Sequence, residues 1–91
     1  MKIEWNAQKR RSNLVKHGID FVELRELFDG YTLTFVDDRF EYDEIRFKTY
    51  GVCRDHVVVV IHTENEELIR VISARKANIY EQEIYFRALW N

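Results

Sequence analysis

Val57-Val58-Val59-Val60-Ile61, running on through His62-Thr63-Glu64 and returning after Asn65-Glu66-Glu67 as Leu68-Ile69-Arg70-Val71-Ile72-Ser73, sets the architecture. Five β-branched residues in a row are too apolar for a strand with one wet face. They read as a central strand covered on both sides. The polar stretch Glu64 to Glu67 turns the chain, and Leu68 to Ser73 supplies a second, antiparallel strand. His62 and Arg70 ride on this hairpin, and Arg75 and Lys76 follow where its second strand stops. Cations and an imidazole on a sheet beside a helix start suit a phosphate-bearing ligand.

Register decides which of these side chains meet. A two-residue turn at Asn65-Glu66 sets His62 opposite Ile69, whereas a three-residue loop from Asn65 to Glu67 sets it opposite Arg70 on the same face.

Upstream, Ile45 to Val52 alternates as a strand, with Ile45, Phe47 and Thr49 on one face and Arg46, Lys48 and Tyr50 on the other. Arg54-Asp55 turns it into the central strand. Tyr31 to Val36 is a further aromatic strand, joined to it by a polar loop from Asp37 to Glu44. Asp37 and Asp38 lack a third ligand at a recognisable spacing, so that loop reads as solvated rather than metal-binding.

Lys2 to Trp5 begins the chain as a short strand. Asn6 caps a helix from Ala7 to His17 that stops at Gly18. Lys9, Arg10, Asn13, Lys16 and His17 share one arc of it, and Ala7, Arg11, Leu14 and Val15 the other. The cationic arc is either a solvated face or one that tracks a phosphate backbone. Asp20-Phe21-Val22-Glu23 reads as a capping box opening a second helix to Asp29-Gly30, with Phe21, Leu24, Leu27 and Phe28 as its core stripe. Asn78 and Glu81 form another capping box, opening a final helix to about Trp90 whose apolar residues spread round most of its circumference. Such a helix is either deeply packed or meets another chain. The order is β-α-α-β-β-β-β-α, an α+β fold with helices packed on an antiparallel sheet, and the whole chain, 1–91, reads as one domain.

The 46% hydrophobic content argues against disorder, and no apolar run approaches a membrane span. The amino terminus lacks the apolar stretch of a signal peptide, and the single cysteine, Cys53, makes neither an internal disulfide nor a zinc–cysteine cluster. A cytoplasmic protein is expected. Net charge is −2, so binding to nucleic acid has no general electrostatic basis. The distribution is uneven, however. Lys2, Lys9, Arg10, Arg11 and Lys16 face a single Glu4 in the first 17 residues. Residues 20–45 carry nine acids against Arg25 and Arg39, and Arg70, Arg75 and Lys76 form a second basic cluster. This pattern suits one anionic ligand, with a basic partner docking at the acidic lobe.

Several segments, in this order, resemble the BrnT family of toxins from bacterial type II toxin–antitoxin pairs: Ile3-Glu4-Trp5, the N-L-x-K-H-G segment Asn13 to Gly18, Phe28-Asp29, Asp43-Glu44-Ile45-Arg46-Phe47, the valine strand ending His62-Thr63-Glu64, and above all Arg70 to Ala77. The resemblance implies a RelE-like fold and ribonuclease activity that blocks translation. It also implies a BrnA-like ribbon-helix-helix antitoxin, a hetero-oligomer with it, and operator DNA bound through that antitoxin. Many members continue the basic run into the last helix, where this chain has Asn78, Ile79 and Tyr80, which implies a weaker phosphate grip.

A ribonuclease working without a metal or other cofactor needs a base for the ribose 2′-hydroxyl, an acid for the leaving 5′-oxygen, and cations for the phosphorane. His17 and His62 are candidates for proton transfer, as is Glu81 or Glu83. Arg70, Arg75 and Lys76 are candidate charge stabilisers, with Arg75 foremost. Lys9 and Lys16 are candidate RNA anchors, and Tyr80 and Tyr85 candidate stacking platforms. His62 reads equally as a core histidine, and Arg70 as the salt-bridge partner of an acid such as Glu44. The turn residue His56 is assigned no role. The residues alone leave two other functions open: a non-catalytic module that holds nucleic acid or an acidic peptide, and a co-repressor subunit of a DNA-binding complex.

Overall fold

The computed structural model describes residues 1–39 and 43–91. It is an α+β fold built on one five-stranded, mostly antiparallel sheet in the spatial order β1-β5-β4-β3-β2. The strands are β1 (Lys2–Trp5), β2 (Leu33–Val36), β3 (Phe47–Cys53), β4 (His56–Asn65) and β5 (Leu68–Lys76). The helices are α1 (Ala7–His17), α2 (Leu24–Asp29) and α3 (Ile79–Trp90). β1 runs parallel to β5 at one edge, and β2 closes the other.

β4 occupies the centre, as its valines require. Val58 and Val60 pack with Ile19, Phe21, Leu24, Leu27, Ile69, Val71 and Ala74 under the first helices. Val57, Val59 and Ile61 pack with Tyr50, Ala77 and Tyr85 on the side of α3. Each such side chain contributes about 1.5–3 kcal/mol by leaving water, so a strand buried on both faces anchors both layers.

The order departs from the expected one between the first two helices. Asp20 does not open a long second helix through a capping box. Its carboxylate accepts the Val22 N–H and caps a 3₁₀ turn, Phe21–Glu23, ahead of the short α2. The reason is competition. Asp20 is also gripped by the Arg10 guanidinium at 2.7 and 3.1 Å, and Glu23 turns away to Arg54 at 2.8 Å instead of reaching back to the cap. The core stripe of that segment is as expected, with Phe21, Leu24 and Leu27 fully buried. Gly51 of β3 faces Leu27, and a Cβ there would lie 2.6 Å from its Cγ, so the glycine lets α2 approach the sheet.

α1 sits with its polar arc toward the sheet. Asn13 is buried, and its amide donates to the carbonyls of Ala74 (2.8 Å) and Ile19 (3.1 Å) and accepts the Ala74 N–H at 3.0 Å. β1 pairs with β5 only as far as Trp5↔Val71. Beyond that point one asparagine side chain satisfies the edge of β5 as a strand would. Leu14 and Val15 are left outside, Val15 at 89% exposure. Gly18, at φ +71°, ends the helix by donating its N–H to the Leu14 carbonyl.

The β4–β5 register follows neither expected alternative. Asn65 pairs with Leu68, so the turn is Glu66-Glu67, and His62 stands opposite Val71. On the very next rung Ile61 pairs with Ser73, so β5 carries one extra residue at Ile72. This bulge changes the parity of everything after it. Val71 and Ala74 share the α1 side, whereas Ile72 and Arg75 share the α3 side.

α3 is not deeply packed. The Asn78–Glu81 capping box forms in both halves as expected, but only Glu81 and Tyr85 of the helix are buried. Tyr80 and Trp90 are 75% and 82% exposed, and Ile79, Phe86 and Leu89 also face outward. No helix among the described residues is long and apolar enough to cross a membrane.

Candidate active site and RNA interface

The residues expected to act together fall into four places. His62 belongs to the core. It has no exposed surface, its Nε2 lies 2.7 Å from the Thr49 hydroxyl, and Phe28 and Phe47 pack on its ring at centroid distances of 5.3 and 5.9 Å. Burial pushes its pKa down, against the smaller opposing pulls of Glu64 and the Thr63 backbone. β4 parity sends it to the α1–α2 side, and in the observed register Arg70 pairs with Thr63 instead, so the two are not joined.

Arg70 pairs with Glu4, its neighbour across the β1–β5 ladder, at 2.8 Å; Glu4 thus takes the role expected of Glu44. Both ends of this pair are exposed, so its worth lies between zero and about 1 kcal/mol. Lys76 is the neighbour of Arg75 but points to the other face, so the expected cation pair is split.

Arg75 is the centre of the most organised cluster. Its guanidinium makes a two-pronged bond to Glu81, at 2.7 and 2.8 Å. The same Glu81 carboxylate accepts the Asn78 N–H at 2.9 Å as part of the α3 capping box. Arg75 holds the Glu81 carboxyl below its ordinary range, and Glu81 reciprocally holds Arg75 charged. With both oxygens occupied, Glu81 fixes the direction of the guanidinium and has little proton affinity left for acid–base work.

Two residues of β3 complete this cluster. Lys48 places its ammonium 5.7 Å from the Tyr50 ring and 6.0 Å from the Phe35 ring, and its charge is felt by both Glu81 and Asp37. Tyr50 and Arg39 both act electrostatically on Arg75. Asp37 is buried and bound to Arg39 at 2.7 and 3.0 Å, so this first part of the expected polar loop is an ordered wall. Residues 40–42 of that loop lie outside the described residues. The alternation in Ile45 to Val52 already placed Arg46, Lys48 and Tyr50 on one face. What it could not give was that α3 and Arg75 lie on that face too.

The third place is a groove of about 200 Å³ between α1 and β5, lined by Lys9, Ser12, Asn13, Lys16, His17, Ile72 and Ser73. No acidic side chain is among these residues. The β5 bulge turns the Ile72–Ser73 pair toward it, so Lys9, Lys16 and His17 do meet, on α1.

The aromatic candidates separate. Tyr85 is buried, packs on Tyr31 and donates its hydroxyl to the Tyr31 carbonyl at 2.9 Å, so it offers no free face. Tyr80 stands in solvent, one residue before Glu81. Three acids of the acidic lobe are paired: Asp20, Glu23 and Asp37 bind Arg10, Arg54 and Arg39. Among the described residues, no three His, Cys, Asp or Glu side chains converge as a metal site would require.

Residues 5–81 match the profile of a family described as the ribonuclease toxin, BrnT, of type II toxin–antitoxin systems. No individual curated protein matches the chain.

Proposed function

The chain belongs to the BrnT family of ribonuclease toxins of type II toxin–antitoxin systems, and on that premise we propose that it cleaves RNA without a metal at the Lys48–Tyr50–Arg75 cluster. The RelE-like character of the fold is part of this proposal. The observation that carries it is the paired fixing of Arg75 and Glu81 beside Lys48 on one sheet face. A guanidinium held by a two-pronged carboxylate loses little freedom when it meets a phosphate, so it is set for a charge that grows during reaction.

In the proposed reaction the ribose 2′-oxygen attacks the adjacent phosphorus and the 5′-oxygen leaves. The products are a 2′,3′-cyclic phosphate and a 5′-hydroxyl. Arg75 and Lys48 stabilise the extra negative charge of the phosphorane. The Tyr50 hydroxyl, which acts electrostatically on Arg75, is assigned the proton transfer from the 2′-hydroxyl to the leaving 5′-oxygen. Glu81 is a positioning residue. Lys9, Lys16 and His17 hold the flanking backbone in the α1–β5 groove, and Tyr80 is placed to stack a base. His62, Arg70 and Tyr85 serve the fold.

The antitoxin partner that the family implies is proposed to be BrnA-like, with a ribbon-helix-helix domain through which the complex holds operator DNA. The uncovered apolar residues of α3 support docking there.

The test is cleavage of an end-labelled RNA in EDTA by the wild-type chain and by Arg75→Ala. Arg75→Ala is expected to lose roughly 10²–10³-fold in rate, as when one oxyanion donor is removed. Wild-type products should end in a cyclic or 3′-phosphate. A folded Arg75→Ala that cuts as fast as wild type overturns the site, and loss of wild-type cleavage on EDTA addition overturns the metal-free chemistry.

A further inference from the structure

A cleft lies on the other face of the sheet from Arg75. It encloses about 300 Å³ and is lined by Gly18, Ile19, Glu23, Cys53, Arg54, His56, Val58 and Lys76. We propose that this cleft is a nucleotide subsite, which takes a base rich in N–H donors, guanine foremost, from the RNA cut at the Arg75 cluster. The proposal rests on the ribonuclease reading for its substrate, but the geometry is independent of that reading.

Charge is arranged in two zones. Lys76 and His56 supply basic groups at the rim, and both are exposed and without an ion-pair partner among the described residues. Deeper in lies the Glu23 carboxylate, paired with Arg54, with Glu26 nearby. Cys53 senses both: burial first, then Glu26 and Glu23, pushes its thiol up to about 11. That thiol is therefore an inert wall, not a nucleophile. Ile19 and Val58 add an apolar floor.

A nucleotide matches both zones. Its phosphate suits Lys76 and His56, its flat base suits the apolar floor, and N–H donors on the base suit the Glu23 carboxylate. One Glu23 oxygen already takes Arg54 at 2.8 Å, and the other has no hydrogen-bond partner within the described residues. A carboxylate has room for several such bonds, and guanine presents adjacent N1–H and N2–H donors to a single carboxylate. Uracil presents one N–H there.

The wall is pre-set. The β3–β4 turn holds Arg54 at φ +50° and Asp55 at φ +68°. Arg54 is not a residue that favours this region, and it is pinned there by its N–H to Glu26 (3.1 Å) and its guanidinium to Glu23. The two positive φ values are those a two-residue hairpin turn between Cys53 and His56 requires, so the β3–β4 pairing itself fixes this wall. Finally, Arg75 and Lys76 are consecutive with side chains on opposite faces, so the cleft and the cationic cluster lie back to back at one end of β5. One oligonucleotide can touch both.

The test uses the purified chain and simple probes: 5′-GMP, 5′-UMP and inorganic phosphate, followed by amide NMR shifts. Saturable shifts at Gly18, Arg54, His56 and Lys76 are expected with GMP. UMP and phosphate should bind about tenfold more weakly or less, the scale of one two-pronged base contact. Lys76→Ala should weaken GMP several-fold, and Lys48→Ala, on the other face, should leave these shifts unchanged. Equal affinity for phosphate and GMP, shifts confined to Lys48 and Arg75, or unaltered GMP binding by Lys76→Ala each overturn the subsite. No cleavage is needed for this readout. RNA cutting without GMP shifts removes the cleft alone, and GMP shifts without cutting remove the ribonuclease reading alone.

Discussion

Lys48 and Thr49 are neighbours on β3 and live in different chemistries. Lys48 lies over Tyr50 and Phe35 on the half-open α3 side, in reach of Glu81 and Asp37. Thr49 lies under α1 and α2, 1% exposed, with its hydroxyl between those of Thr34 (2.8 Å) and the His62 ring (2.7 Å). Both faces hold polar residues, but on the covered face Thr49 and the His62 Nε2 bond one another and on the open face polar residues surround a cation. The difference teaches that a residue type such as histidine or arginine says little about catalysis until its face of the sheet is known.

The comparison breaks most visibly if a covered-face residue turns out to control rate. Leu27→Ala, in the core beneath β3, is expected to cost about 2–5 kcal/mol of stability, read by denaturant midpoint, while the folded fraction keeps its kcat. Lys48→Ala is expected to do the reverse: about 10–100-fold off kcat/KM, or ~1.4–2.7 kcal/mol of barrier, with an unchanged Tm. A Lys48→Ala chain that cleaves normally would remove β3 from the site. Thr49→Val sharpens the contrast at the adjacent position. It keeps shape but leaves His62 Nε2 and the Thr34 hydroxyl without their partner, at about 1–3 kcal/mol, with cleavage by the folded protein intact. If urea midpoints for Thr49→Val and wild type coincide, the polar chain on that face contributes nothing.

Local rules read well from the sequence. The Asn78–Glu81 box and the Gly18 stop depend on residues within one helical turn, and both formed as expected. What failed depended on distant pairing. The bulge at Ile72 leaves no mark in its own residues, yet it moves Arg75 to the α3 face and separates it from His62. α1 misleads by composition: its apolar Leu14 and Val15 stay outside because Asn13 has a more demanding task, satisfying both backbone groups of Ala74. The Arg75–Glu81 bond had a readable signal, since a cation at a strand end met a glutamate six residues on, already fixed by a helix cap. Lys48 had only half a signal, its alternation with Tyr50, and needed the position of α3 to become part of a site.

The smallest expected effect concerns His62, and its sign separates a core histidine from a catalytic one. Burial lowers its folded pKa below the ordinary 6.5, so between these two values the unfolded chain binds a proton that the native chain does not. Stability therefore rises with pH through this window. It is fully present above about 6.5 and falls as pH drops toward the folded value. Asp20, Asp37 and Glu81 have pKa values lowered from about 4, so their losses begin in more acidic solution than the upper end of this window. Urea midpoints measured from pH 7.5 to 5 should decline in wild type and flatten in His62→Gln. Should that substitution prevent folding, the wild-type imidazole can be followed by NMR instead, and it should take up its proton only below the ordinary 6.5. A His62 ring that protonates at or above 6.5 in the folded chain would mean that it reaches water or a carboxylate. The division of labour between the two faces would then fail at its most buried polar residue.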